Sequence, residues 1–204
     1  MIYYTADLHL GYGPILRYRP FDTVEEMDRT LIDNWNATVT DADTVYIVGD
    51  FSYNNGQVPG HYFSQLKGQK HLIRGNHDTP LEDAHRLLNY CQSVVDFWEL
   101  DDNGEHILLS HYPMIYDKGG YMIHGHIHAH RSQAYRLLQQ LPRVLNCGVD
   151  VNYFRPVTLQ ELIEHNERFY GPDSFLHFPE YHKPTASTQG LLPRKPDFRP
   201  LPHC

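Results

Sequence analysis

Five short stretches of the chain gather aspartate, histidine and asparagine at close spacing: Asp7-Leu-His9, Gly49-Asp50, Gly75-Asn-His-Asp78, a single His111, and Gly125-His-Ile-His128. Carboxylate, imidazole and amide groups together make a mixed oxygen and nitrogen donor set, suited to divalent first-row cations. A pair of such cations, about 3.5 to 4 Å apart with a carboxylate between them, activates water and clamps a phosphoryl group for in-line displacement. Each stretch alone is weak, because Asp-x-His is an ordinary loop pair and Gly-Asp an ordinary turn. Their weight comes from a shared setting at the ends of predicted strands, where side chains from several strands converge on one cleft.

The elements that must position these groups are legible from pattern. Ile2 to Ala6, Thr44 to Val48, His71 to Arg74, Glu105 to Ser110 and Tyr121 to His124 are aromatic, β-branched or apolar runs that read as strands, and a chemical stretch follows each. Thr23-Val-Glu-Glu26 has the capping-box pattern, and Val24, Met27, Leu31, Ile32 and Trp35 recur at helical spacing, predicting a helix from about Thr23 to Val39. Pro80 is expected to open a helix running to about Tyr90. Val94 to Leu100 and Glu105 to Ser110 flank Asp101-Asp-Asn-Gly104 and read as a hairpin. Arg143 to Cys147 and the stretch from about Tyr153 to Thr158 read as closing strands, and Leu159 to Tyr170 as the last helix. Helices alternating with strands early and pairing strands late predict a mixed α/β fold, with one mixed sheet or two stacked sheets.

Composition bounds the function classes. The chain has 204 residues, 41% of them hydrophobic, enough for one domain with a substantial core. A formal charge of -8 argues against coating nucleic acid through its phosphates, so no extended nucleic acid is expected as a partner. No run of 18 apolar residues is present, and Asp7 and His9 interrupt the first apolar stretch; a soluble, cytoplasmic protein with no membrane partner is expected. The 3 cysteines are too few and too scattered for a disulfide framework or a cysteine zinc site. From Gly171 onward the texture changes to a proline-rich tail with apolar anchors such as Phe175, Phe178, Tyr181 and Phe198. The expected organisation is a domain over 1–170 and a tail over 171–204, extended or packed on the domain or on a neighbouring subunit. A monomer or a tail-mediated homodimer follows.

Taken in order, the five stretches resemble the signature of the calcineurin-like metallophosphoesterase superfamily: D-x-H, G-D, G-N-H-[D/E], H, then G-H-x-H. Asn146-Cys-Gly-Val-Asp-Val-Asn152 and Pro156-Val-Thr-Leu159 are similar to its small single-domain bacterial and phage members. The resemblance covers roughly residues 1 to 165 and implies a four-layer α/β/β/α sandwich of two mixed sheets flanked by helices. It further implies two divalent ions, manganese foremost, with iron, zinc, nickel or cobalt also compatible. Asp7, His9, Asp50 and His128 would hold the first, and Asp50, Asn76, His111 and His126 the second, with Asp50 bridging. A metal-bound hydroxide would attack phosphorus, and His77 would act as general acid at the leaving oxygen.

The chain departs from the family's protein phosphatases at Gly49-Asp-Phe-Ser-Tyr-Asn54, which lacks the second aspartate and the arginine of that block. This argues against a phosphoprotein substrate and leaves the orienter of His77 open, Asp78 being the neighbouring candidate. Arg17 and Arg19, just after the first stretch, are candidates to bind substrate phosphate, with Arg74 a further arginine near a ligand stretch. His124 and His130 fall outside the pattern and read as structural or surface residues. The expected reaction is hydrolysis of a P–O ester in a small substrate, nucleotide-like compounds included, with a phosphodiester preferred. A phosphomonoesterase such as a nucleotidase, and a catalytically silent protein-interaction scaffold, are the alternatives.

Overall fold

The computed structural model describes residues 1–52, 59–78, 86–115, 118–130 and 136–171. Among them, eight strands form two four-stranded sheets. In the first, β1 (Ile2–Thr5), β2 (Thr44–Val48), β3 (Gln69–Ile73) and β4 (Ser93–Val95) lie side by side in that order, all parallel. In the second, β5 (Phe97–Asp102) pairs antiparallel with β6 (Glu105–Ser110), and β7 (Tyr121–His124) and β8 (Val144–Asn146) continue parallel to β6. The helices are α1 (Val24–Thr38), α2 (Pro59–Phe63), α3 (Arg136–Gln139) and α4 (Leu159–Tyr170), with a 3-10 helix at Gly13–Tyr18. This is a mixed α/β architecture of two four-stranded sheets flanked by helices, the two-sheet form of the expected fold.

Period-two alternation divides the first sheet between two cores. Tyr3, Val45, Ile47 and Leu72 pack with Met27, Leu31 and Trp35 of α1. Their neighbours Tyr4, Tyr46, Val48 and Ile73 face the other way and meet Ile107, Leu109, Ile123 and Leu145 of the second sheet, with Leu159 and Leu162 of α4. Trp35 is fully buried, and its Nε1–H donates to the Lys67 carbonyl at 3.0 Å. The Thr23 hydroxyl accepts from Glu26 N at 3.1 Å as the capping pattern predicts, but the Glu26 carboxylate reaches Asp22 N at 3.1 Å, one residue before the box position. Thr158 and Glu161 make the complete reciprocal box at the start of α4.

Two expected elements differ, and a third is described only in part. The run from Val94 to Leu100 is not one strand: it breaks at Asp96, with β4 extending the first sheet and β5 opening the second. Arg74 fixes the break, its N–H donating to the Val95 carbonyl at 2.7 Å while its guanidinium pairs with Asp96. The stretch from Tyr153 to Thr158 is a turn, with Tyr153 and Phe154 at positive φ and only Val157 bridging to Tyr4. Phe154 N–H bonds back to the Val149 carbonyl at 2.9 Å, and its ring packs edge-on against Phe21, which outweighs the strand propensity of the segment. Of the helix expected from Pro80 to Tyr90, residues 79–85 lie outside the described residues and 86–89 form a 3-10 turn. The tail beyond Gly171 also lies outside them. Among the described residues no helix is long and apolar enough to cross a membrane.

Candidate metal centre

Parallel strands end on one side, and here the ends of both sheets meet. Ala6 forms a parallel bridge with Gly148, so β1 and β8 run in the same direction where the sheets join. Asp7 N–H donates to the Gly49 carbonyl and His9 N–H to the Asp50 carbonyl, both at 3.0 Å, while Gly125 N–H donates to the His111 carbonyl at 3.1 Å. The segments after β1 and β2, and those after β6 and β7, are thus stitched pairwise beyond their strands.

The backbone is turned sharply at the donors themselves. Asp7, His9, Asp50, His126 and His128 all have φ between 49° and 71°, a left-handed conformation that non-glycine residues rarely adopt. Such strain costs on the order of 1–3 kcal/mol per residue and concentrates at functional sites. Gly49, at φ 89°, packs so closely that a Cβ there would lie 2.2 Å from His111 Nδ1.

One carboxylate oxygen sits between two imidazoles: Asp50 Oδ2 is 3.6 Å from His9 Nε2 and 3.4 Å from His111 Nε2. Donor atoms of Asp7, His9 and His128 lie within 4.8 Å of one another, as do those of Asp7, Asp50 and His111. Asn76 Oδ1 receives two more nitrogens, His111 Nε2 at 3.1 Å and His126 Nδ1 at 3.0 Å. All seven residues expected to bind metal are therefore brought together; Asp50 stands between His9 and His111, and Asp7 has donor atoms near both groups. His77 stands beside them: its N–H donates to Asp50 Oδ1 at 2.8 Å, and its ring is edge-on to His9 at 5.2 Å and exposed.

Burial and charge act unequally on these groups. Burial pushes Asp7 up to about 6, against the pull of His128 and His111. Asp50 feels the same burial, but its bond to His111 and the adjacent His77 N–H hold it down at about 2. Burial drives His9 down to about 3, whereas in His111 the bond to Asp50 and the charge of Asp7 overcome burial and raise it to about 9. Both ring nitrogens of His9 are buried without a hydrogen-bond partner. An imidazole so placed is costly unless something meets it, and a cation is the partner that its neutral form, Asp7 and Asp50 all suit. The donor set fits divalent metal.

The model of the calcineurin-like phosphoesterase family matches residues 1–186. The chain belongs to that family. It is 34% identical over 172 residues to an uncharacterized protein of Methanocaldococcus jannaschii, covering 80% of this chain and 89% of the relative. It is 33% identical over 159 residues to the Gene 66 protein of Mycobacterium phage L5, covering 62% and 77% of the two chains. The crystal structure of a protein of unknown function from Aquifex aeolicus superimposes with a TM-score of 0.63 at 25% identity, covering 80% of this chain and 98% of that one.

Within this calcineurin-like phosphoesterase, one sequence expectation needs correction and one open candidate is settled by geometry. Arg19 does not face a substrate: it is buried, its Nε and one Nη hold Asp150 at 2.8 and 3.0 Å, and its remaining donors go to the Leu8 and Asp7 carbonyls and to the Met27 sulfur. A guanidinium with five donors is the side chain best able to satisfy that many buried acceptors at once. Asp78 is not the orienter of the His77 ring; its carboxylate accepts backbone N–H groups from Asp50, Phe51 and Gly75. Arg17 remains exposed, its guanidinium 4.7 Å over the Tyr18 ring. His124 is a buried strand residue bonded to the Gly125 carbonyl at 2.8 Å, outside the donor set. Sequence reading missed Asp150, whose Oδ2 meets His128 Nδ1 at 2.9 Å. The only signal was an aspartate in the Asn146-Cys-Gly-Val-Asp150 segment, to which no chemistry had been attached.

Proposed function

We propose that the chain is a metal-dependent phosphoesterase hydrolysing a P–O ester, phosphodiesters in preference to monoesters, in a small substrate. The observation that carries this reading is the position of Asp50 Oδ2 between His9 and His111, a carboxylate placed to join two half-sites. Two divalent cations, manganese foremost, would be held by Asp7, His9, Asp50 and His128 on one side and by Asp50, Asn76, His111 and His126 on the other. When bound, such a pair supplies Lewis acidity at the phosphoryl oxygens and activates water at neutral pH.

The chain's own residues supply the rest. His77 is anchored through its backbone to Asp50 while its ring stays accessible, which suits a group that passes a proton to the leaving oxygen. Phosphate contacts beyond the ions fall to Arg17. In support, its platform Tyr18 has its ring 5.9 Å from that of His130, whose ring in turn lies 6.4 Å from that of His128. The diester preference rests on charge. Arg19 is engaged internally and Arg74 pairs with Asp96, leaving little cationic side chain among the described residues near the donors to meet the extra charge of a monoester dianion.

The test is hydrolysis of a chromogenic phosphodiester and its matching monoester by metal-stripped protein reloaded with manganese, with Asp50→Asn as control. Metal-dependent turnover that is lost in the variant and faster on the diester supports the full reading. Faster turnover of the monoester replaces the substrate class with phosphomonoesters. Absence of turnover in protein holding two ions per chain overturns the enzyme assignment.

A further inference from the structure

Arg19 and Asp150 lie 131 residues apart and form a bidentate pair, with the Arg19 side chain fully enclosed and the Asp150 side chain 8% exposed. A buried pair of this kind gives weak net stabilisation, since desolvation of both ions offsets their attraction. Its contacts point to another use. Asp150 Oδ2 meets His128 Nδ1 at 2.9 Å, and the same guanidinium reaches the carbonyls of Asp7 and Leu8, the second at 2.8 Å. Two of these contacts therefore fall on members of one donor group, the His128 ring and the Asp7 backbone, and the third on Leu8, the residue between Asp7 and His9.

An imidazole that binds a cation through one nitrogen needs its other N–H held by an acceptor, which fixes both ring orientation and tautomer. Asp150 holds Nδ1 of His128, leaving Nε2 for a ligand. The His128 ring stacks on His9 at 5.1 Å and 19°, so turning either ring disturbs the other. Asp7 is held at φ 57° with its carbonyl on the Arg19 guanidinium, which keeps that left-handed turn from relaxing.

We propose that Arg19 and Asp150 are positioning residues that preorganise the half-site of Asp7, His9 and His128, selecting His128 Nε2 as its ligand atom. This rests on the dinuclear reading of the site. It predicts a consequence concentrated on one of two ions, because the pair makes no direct contact with His111, His126 or Asn76 and reaches their half only through Asp7, whose carboxylate accepts the His126 N–H at 3.0 Å.

Metal-free wild type, Asp150→Asn, and the double variant Arg19→Met/Asp150→Asn would be titrated with manganese by calorimetry, with thermal melts of the metal-free proteins alongside. The double variant removes the uncompensated buried charge that the single one leaves. Expected are two sites in the wild type and, in each folded variant, one site weakened about 10- to 100-fold with the other weakened far less. In the zinc-loaded wild type, a long-range proton–nitrogen correlation should place the retained His128 proton on Nδ1 as a downfield, slowly exchanging signal, and Asp150→Asn should lose it. Two unchanged sites in the variants would overturn the positioning role while leaving the dinuclear reading intact. Equal weakening of both sites, or failure of both variants to fold, would assign the pair to the fold and overturn it. Absence of binding by the wild type would overturn both readings together.

Discussion

Asp78 holds Asp50 in place through the backbone: its Oδ2 accepts Asp50 N–H at 2.8 Å and Gly75 N–H at 2.7 Å, and its Oδ1 accepts Phe51 N–H at 2.9 Å. The loops after β2 and β3 are thereby tied at the residue that stands between His9 and His111. Asp78→Ala strands these donors, and a buried unsatisfied group costs about 1–3 kcal/mol. Chemical denaturation of metal-free protein should show a loss of about 3 kcal/mol or more for the alanine variant and less for Asp78→Asn, which keeps one acceptor. A loss under about 1 kcal/mol would mean the loops are held by other contacts.

Close approach makes a second site of failure. A Cβ at Gly49 would sit 2.2 Å from His111 Nδ1, on a ring already fixed by its 3.0 Å bond to the Val48 carbonyl, and the φ of 89° disfavours any side chain. Gly49→Ala should therefore displace His111, costing about 1–3 kcal/mol in backbone strain alone. Bound manganese measured by elemental analysis should drop from two equivalents toward one. Two tightly held equivalents in this variant would remove His111 from the donor set.

The metal-free protein should lose stability as pH rises through the range in which His111 titrates. Its folded value of about 9 lies above the ordinary 6.5, because its bond to Asp50 and the charge of Asp7 outweigh burial. The stabilisation is therefore fully present below about 6.5 and lost as pH climbs toward 9. His128, raised by Asp150 and Asp7 against burial, acts in the same sense, while His9, depressed to about 3, is already neutral there. Melting temperatures in chelator should fall from pH 6.5 to 9, and manganese affinity should rise over the same interval as the competing protons leave. A flat melting profile would mean that His111 carries no such charge.

What the sequence revealed, and what it hid, follows from range. The strand tips were legible because each is a short apolar run that stops at glycine, aspartate or histidine, a purely local pattern that parallel strands then align. Helix α1 was legible from Thr23 and the spacing of Met27, Leu31 and Trp35. Val94 to Leu100 misled because strand propensity does not say to which sheet a residue belongs, and the break depends on Arg74 pairing across to Asp96. Arg19 misled for the same reason: an arginine beside a ligand stretch looks available for phosphate until Asp150 arrives from the far end of the domain. Asp78 was undervalued because a turn, unlike a strand or helix, sends adjacent side chains in directions that spacing cannot give.

Distance from the centre should separate stability from activity. Trp35 is fully enclosed between α1 and the first sheet, and truncating such a residue costs about 3–5 kcal/mol, part of it from the Lys67 carbonyl losing its donor. Trp35→Phe keeps most of the packed volume and isolates the hydrogen-bond term, with an expected cost of about 1–2 kcal/mol. Neither change touches the donors after β1, β2, β3, β6 or β7. Manganese stoichiometry at a temperature where both variants are folded should stay at the wild-type value, while the denaturation midpoint falls more for Trp35→Ala than for Trp35→Phe. Loss of bound metal in folded Trp35→Phe would show that the helix-side core and the centre are mechanically coupled through β1 and β2.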